Sequence, residues 1–112
     1  HRSDRVSDAL RSILAHIFIS EVNIAGSGLI TITQVKVSQD LKIAKIYISF
    51  LDNQEPIKEL LGRLIAKKSI IRSFVGKELN LKYIPELRFY HDNTMEYADN
   101  INQLINMISN ND

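Results

Sequence analysis

An α+β architecture follows from three features of the sequence. Val6, Ala9, Leu10, Ile13, Leu14 and Ile17 recur at helical spacing, and so do apolar residues in IKELLGRLIAKKSIIRSFVGKEL. Between these segments lie two runs rich in β-branched residues, LITITQVKVS and LKIAKIYISFL, separated by a short polar joint. With a third strand and a terminal helix further on, the order is α-β-β-α-(kink)-α-β-α, helices on one face of a three-stranded sheet.

The first helix is expected over residues 3–19, with Ser3 or Asp4 as its N-cap. Arg2, Arg5 and Arg11 fall off its apolar stripe, and His16 reads as a surface histidine. EVNIAGSG, residues 21–28, is expected to be a flexible connector. Its Gly26-Ser27-Gly28 lacks the downstream Lys and Ser/Thr of a phosphate-binding loop and the spacing of a dinucleotide fingerprint. Leu29 to Ser38 and Leu41 to Leu51 form an antiparallel hairpin around Gln39-Asp40. On the second strand Ala44, Ile46, Ile48 and Phe50 face one way, and Ile43, Lys45, Tyr47 and Ser49 the other, so one sheet face meets helices and the other is partly wet.

Asp52 to Pro56 breaks the chain, with Pro56 suited to a first helical turn. Ile57, Leu60, Leu61, Leu64 and Ile65 then share a helix face, but continuing that face puts Lys68 where an apolar side chain belongs. The rhythm resumes with Ile71, Phe74 and Val75. The pattern fits either two helices meeting at a charged joint, Lys67-Lys68-Ser69, or one bent helix whose Lys68 snorkels past its neighbours. Asn80 ends this stretch and Leu81 to Tyr90 is the expected third strand. Pro85 cannot donate to a ladder, which makes that strand an edge or bulged there. Asp92-Asn93-Thr94 caps a final amphipathic helix carrying Met95, Ala98, Ile101, Leu104, Ile105 and Ile108, and the chain is expected to fray at residues 1–2 and 109–112. No repeat or linker divides the 112 residues, so one domain spanning 1–112 is expected.

The chain has no cysteine, which excludes disulfides, thiolate metal sites and cysteine nucleophiles and fits a reducing cytosol. His1, His16 and His91 are far apart and form no ligand-spaced pair, so neither metal nor cofactor is expected. No run of about 18 apolar residues suggests a membrane span, and HRSDRVSDAL lacks the apolar core of a signal peptide. The most suggestive catalytic grouping is Glu86 with His91 and Asp92, which reads better as turn and capping groups, so a non-enzyme is expected. The net charge of +1 is unevenly spread: residues 57–90 carry eight Lys or Arg against three acids, and residues 91–112 carry four acids and no Lys or Arg. An electropositive middle and an acidic tail that keeps away from polyanions follow.

Three motifs, in this order, resemble the ribosome-binding factor A family over about Arg5 to Leu104: RVSDAL with its helix, the hairpin around Ser38-Gln39-Asp40-Leu41, and IIRSFVGKELNLKYIPELRFYHDNTMEYADNI with its IRS–G and PELRF elements. The resemblance implies a single type II KH-like domain. It also implies a cytoplasmic bacterial factor, without catalysis, that binds immature 30S subunits and their 16S rRNA, assists rRNA processing and subunit maturation, and supports growth in the cold. Other assembly factors such as a GTPase join the implied partners, and a monomer is expected. In KH domains a GxxG loop between two helices clamps the nucleotide backbone, and the family replaces it with an Ala-x-Gly kink. Lys67-Lys68-Ser69 occupies that place here, with Ser69 where Gly would take a positive φ at no cost. The expected RNA-binding set is Lys67, Lys68, Ser69 and Arg72 at the joint, Arg63 and Lys77 on flanking turns, Lys82 and Arg88 on strand three, and Arg5 and Arg11 on the first helix. Tyr47, Tyr83 and Phe89 are secondary candidates for base stacking, with packing the simpler role for each.

Overall fold

A computed structural model describes residues 1–93. Three helices, α1 (Arg2–Ser20), α2 (Ile57–Ala66) and α3 (Lys68–Glu78), accompany three strands, β1 (Leu29–Val37), β2 (Ile43–Leu51) and β3 (Glu86–His91). The final helix expected after Asn93 lies outside the described residues.

β1 and β2 pair antiparallel across the hairpin, and β3 adds parallel to β2 to give the order β1-β2-β3. A parallel neighbour requires a long crossover, and α2 and α3 together supply it. Alternation along the strands divides the two sheet faces. Ile32, Ala44, Ile46, Ile48, Phe50, Leu87 and Phe89 are buried on one side, against Leu10, Leu14 and Ile17 of α1, Leu60 and Leu64 of α2, and Ile71 and Val75 of α3. Burying a side chain of this size contributes on the order of 1.5–3 kcal/mol, so this shared core fixes both helices of the broken stretch on one sheet. The opposite face has no described element packed on it and carries Lys36, Lys45, Tyr47, Arg88 and Tyr90.

Several expectations are corrected by the packing. The third strand begins at Glu86 rather than Leu81, because Pro85 has no N–H and the Glu86 N–H, bonded to Lys42 O at 2.8 Å, starts the contact with the hairpin. Leu81 to Pro85 is instead a bend whose Pro85 is fully buried, and β3, which starts after the proline, is one of the two edges of the sheet. Residues 21–28 are not a loose connector: Val22, Ile24 and Ser27 are buried, so side chains tie the segment to the core. Its glycines are needed locally. Gly28 has φ +62°, and a Cβ there would collide with the Leu51 carbonyl oxygen and lie 2.7 Å from Asp52 C. No side chain caps α1, which starts from His1 while the Asp4 carboxylate sits 3.6 Å from the N-terminal amine. Ala9 and Ile65, read as core-facing, are exposed.

Candidate nucleic-acid interface

The helical register break at Lys67–Ser69 is a true junction. α2 ends at Ala66, Lys67 adopts φ −96°, ψ 9°, and α3 begins at Lys68. The Lys67 N–H donates to Leu64 O at 3.0 Å, closing α2 with a tight turn, while Lys67 O accepts the Ile71 N–H at 3.0 Å and opens α3. Lys67 thus serves as C-cap of one helix and N-cap of the next. This geometry answers the question raised by Ser69. The junction contains no positive φ, since Leu41 and Asp52 are the non-glycine residues in that region among those described, and Ser69 lies within α3. The change of direction is made at Lys67 in a conformation open to any residue except proline.

The electrostatics of the two helix ends differ. At the C-terminus of α2, Arg63 and Lys67 lie where the macrodipole favours cations. At the N-terminus of α3, Lys67 and Lys68 lie where it disfavours them, and that first turn has neither an acidic residue nor a side-chain cap. An anion placed there would meet two ammonium groups and the opening N–H groups of α3 together.

Hydrogen bonds show which expected residues gather at the junction. Lys67 Nζ donates to Asn23 O at 2.5 Å and Arg63 Nη1 to Ala25 O at 2.6 Å, so both fasten the 21–28 segment beside the joint. Each donor group keeps further N–H bonds to give. Lys68 is half-buried and Ser69 exposed, and among the described residues neither side chain makes a hydrogen bond or ion pair. Arg72 Nη2 reaches Ile84 O at 3.4 Å, linking α3 to the bend before β3. On the exposed side of α3, Lys77 Nζ lies 5.2 Å from the Phe74 ring centre, and a groove against α1 is lined there by Ser12, Ile13 and His16.

The remaining expected residues lie elsewhere. Lys82 belongs to the bend, not to strand three, with its ammonium 5.5 Å from the Tyr83 ring centre. Arg5 and Arg11 are exposed on α1, where Arg11 Nη2 approaches Ile32 O at 3.5 Å. Arg88 is on β3 but on the sheet face turned away from the helices, 3.3 Å from Glu86. Two cations outside the expected RNA-binding set complete its row: Lys45 is the cross-strand neighbour of Arg88, and Lys36 is that of Lys45. The outward alternation of Lys45 was visible in the sequence, but the register that aligns it with the other two was not.

The polar groups weighed as catalytic separate. Glu86 projects from the open sheet face with Arg88, while His91 follows Leu87 and Phe89 on the core side, its ring stacked 6.2 Å from Phe50. The Asp92 carboxylate accepts the Thr33 hydroxyl at 2.7 Å. Among the described residues no three His, Asp or Glu side chains group as metal ligands, and no helix is long and apolar enough to cross a membrane.

The family model of ribosome-binding factor A matches residues 2–105. The chain belongs to that family. Ribosome-binding factor A of Staphylococcus carnosus is 34% identical over 104 residues, 93% of this chain and 90% of the relative. That of Cellvibrio japonicus is 38% identical over 106 residues, covering 93% and 78% respectively. Among solved structures, the crystal structure of ribosome-binding factor A from Thermus thermophilus superposes with a TM-score of 0.69 at 17% identity, over 80% of this chain and 94% of that one. A homology model of the Thermus thermophilus factor, fitted into a cryo-electron microscopy map of its complex with the 30S particle, gives 0.62 at 17% identity over 83% and 93%. The shared fold is KH-like, and the Lys67 junction stands between its two consecutive helices.

Proposed function

We propose that this chain is a non-catalytic assembly factor that binds the immature 30S subunit and its 16S rRNA through the α2–α3 junction. The observation that carries the reading is the start of α3: two lysines, no acid and no side-chain cap at a helix N-terminus, in a member of the ribosome-binding factor A family. A phosphate seated there relieves the unfavourable charge–dipole arrangement and takes up the opening N–H groups. Lys67, Lys68, Ser69 and Arg72 form the centre of the contact, with Arg63 beside it, while Lys77 at the far end of α3, Lys82 on the bend and Arg5 and Arg11 on α1 extend it away from the junction. Such contacts supply affinity and position more than sequence choice, so selection of the immature particle rests on the shape of its rRNA. By binding one rRNA arrangement more tightly than its competitors the factor shifts the population toward it. This assists rRNA processing and matters most in the cold, when misfolded RNA resolves slowly.

The reading is tested by sucrose-gradient co-sedimentation of the tagged protein with free small subunits and with mature ribosomes. The parent chain is expected with the former. Lys67→Glu/Lys68→Glu is expected to lose about tenfold or more in association and to reduce the salt slope by roughly 1.4–1.8, two phosphate contacts' worth. Tm should fall by no more than about 5 °C, since one exposed hydrogen bond to Asn23 O is lost. Undiminished association of that variant would remove the junction as the contact surface. A second reading, a partner docking on the apolar face of the broken helix, loses its seat on α2, where Leu60 and Leu64 are completely buried, and keeps only the half-buried Phe74 of α3.

A further inference from the structure

We propose that the open face of the sheet is a second and separate platform for single-stranded RNA, taking phosphates on Lys36, Lys45 and Arg88 and a base on Tyr90. The polymer is that of the reading above, but the surface is not the junction and lies on the opposite side of the sheet.

The register creates this surface. Lys36 is the Cα partner of Lys45 on the antiparallel side, and Lys45 is the partner of Arg88 on the parallel side. Three cations therefore stand in one row across all three strands, spread over roughly 10 Å at the usual strand spacing. Like charges directly opposite one another on a sheet face are destabilising. Arg88 is partly compensated by Glu86 at 3.3 Å, whereas among the described residues Lys36 and Lys45 have no ion pair or hydrogen bond from their side chains. The row borders a depression of about 360 Å³ walled by Lys36, Val37, Ser38, Ile43, Lys45 and Arg88. A polyanion lying across it would offset repulsion that the fold leaves standing.

Two residues further along the strands, roughly 7 Å away, the next row holds Gln34, Tyr47 and Tyr90 in register. The two tyrosine rings are stacked, centres 5.4 Å apart and planes 28° from parallel, and Tyr90 is 39% exposed. Tyr47 thereby holds the Tyr90 ring in place beside the cation row. A row of cations next to a supported aromatic ring suits a polymer that is anionic along its backbone and presents flat rings at the same spacing. The chain's own residues after Asn93 carry acids and one ring, Tyr97, but only three acidic side chains, Glu96, Asp99 and Asp112, without the regular repeat of charge and ring that a nucleic acid brings.

The test uses the full chain and a fluorescein-labelled oligouridine, with binding read by anisotropy over a series of KCl concentrations. Lys36→Gln/Lys45→Gln/Arg88→Gln is expected to weaken binding at least about tenfold and to reduce the salt slope by about 2, three single-strand phosphates' worth. Tyr90→Leu is expected to weaken it by about tenfold with the salt slope unchanged, the mark of stacking rather than charge. The triple variant should melt close to the parent, because relief of the like-charge row offsets the exposed Arg88–Glu86 pair it removes, and melting of each variant separates lost binding from lost folding. If both sheet variants bind as the parent does while Lys67→Glu/Lys68→Glu does not, the platform is refuted and the junction reading stands. A parent chain that fails to bind oligouridine refutes the platform too, leaving the junction to be judged by co-sedimentation. A photo-crosslinking Tyr90→p-benzoylphenylalanine variant that joins to residues beyond Asn93 instead of to RNA assigns the face to the chain's own acidic segment and overturns the proposal.

Discussion

The chain changes direction at two short polar segments, Ser38–Lys42 and Lys67–Ser69, which are built in opposite ways. The hairpin turn consumes its own polar groups. The Ser38 hydroxyl donates to Asp40 Oδ1 at 2.6 Å and accepts the N–H groups of Lys42 and Ile43 at 3.2 and 3.0 Å, while the Leu41 N–H returns to Ser38 O at 2.9 Å. That closure is bought with a leucine at φ +62°. The helix junction requires no left-handed residue and has no side-chain cap at either helix end that meets there. A turn that satisfies itself has little to offer a ligand, whereas a junction with uncapped N–H groups and two lysines has a reason to bind an anion. The difference separates a structural bend from a functional one better than composition does, since both segments are short and polar.

Substitutions can break this contrast, and the largest effect is expected at the turn. Ser38→Ala removes one donor and two accepted bonds at once and should cost about 2 kcal/mol in urea unfolding, with subunit association unchanged. A loss of association at equal folded fraction would show that the turn is not closed in the sense argued. The next effect is a reversal of sign between the two sites. At residue 41, Leu41→Gly should be more stable than Leu41→Ala by about 1 kcal/mol, because both lose the same side chain and glycine alone relieves the left-handed backbone. At residue 69 the order should invert, with Ser69→Ala more stable than Ser69→Gly by about 1 kcal/mol, because the position is ordinary α-helix. Glycine stabilising at 69 would mean that the junction does use a positive φ.

The smallest effect is in pH. The Asp40 carboxyl is held below its ordinary 3.8 first by the Ser38 hydroxyl and then by the Lys42 N–H. A carboxylate whose pKa is depressed by folding adds stability above its unfolded pKa and loses it as pH falls through the folded one. The parent should therefore lose a small increment of Tm as pH drops below 3.8, and Asp40→Asn should lack that component. Identical acid profiles for the two chains would remove the turn's carboxylate from the account.

The elements themselves were legible because each rests on local periodicity. Leu10, Leu14 and Ile17 at helical spacing, and the alternation of Ala44, Ile46, Ile48 and Phe50, bury just those faces. So was the break near Lys67, because a lysine on an apolar stripe is a local contradiction. The start of β3 was misplaced for want of a partner: Leu81 to Tyr90 has strand composition throughout, but a strand exists only where a neighbour accepts its N–H groups, and Pro85 has none to give. The 21–28 segment looked loose because its glycines are a local signal and the burial of Val22 and Ile24 is not.

By itself, then, the sequence determined the succession of helices and strands over the described residues, the buried stripe of each apart from margins such as Ala9 and Ile65, and the charged interruption between α2 and α3, since all of these follow from spacing along one chain. Tertiary structure alone decided that β3 runs parallel to β2, that Lys67 and Arg63 are fastened to the 21–28 segment, and that Arg88 leaves the junction to align with Lys36 and Lys45. Those outcomes depend on register and packing between residues distant in sequence, where a shift of one residue turns every side chain of a strand to the other face.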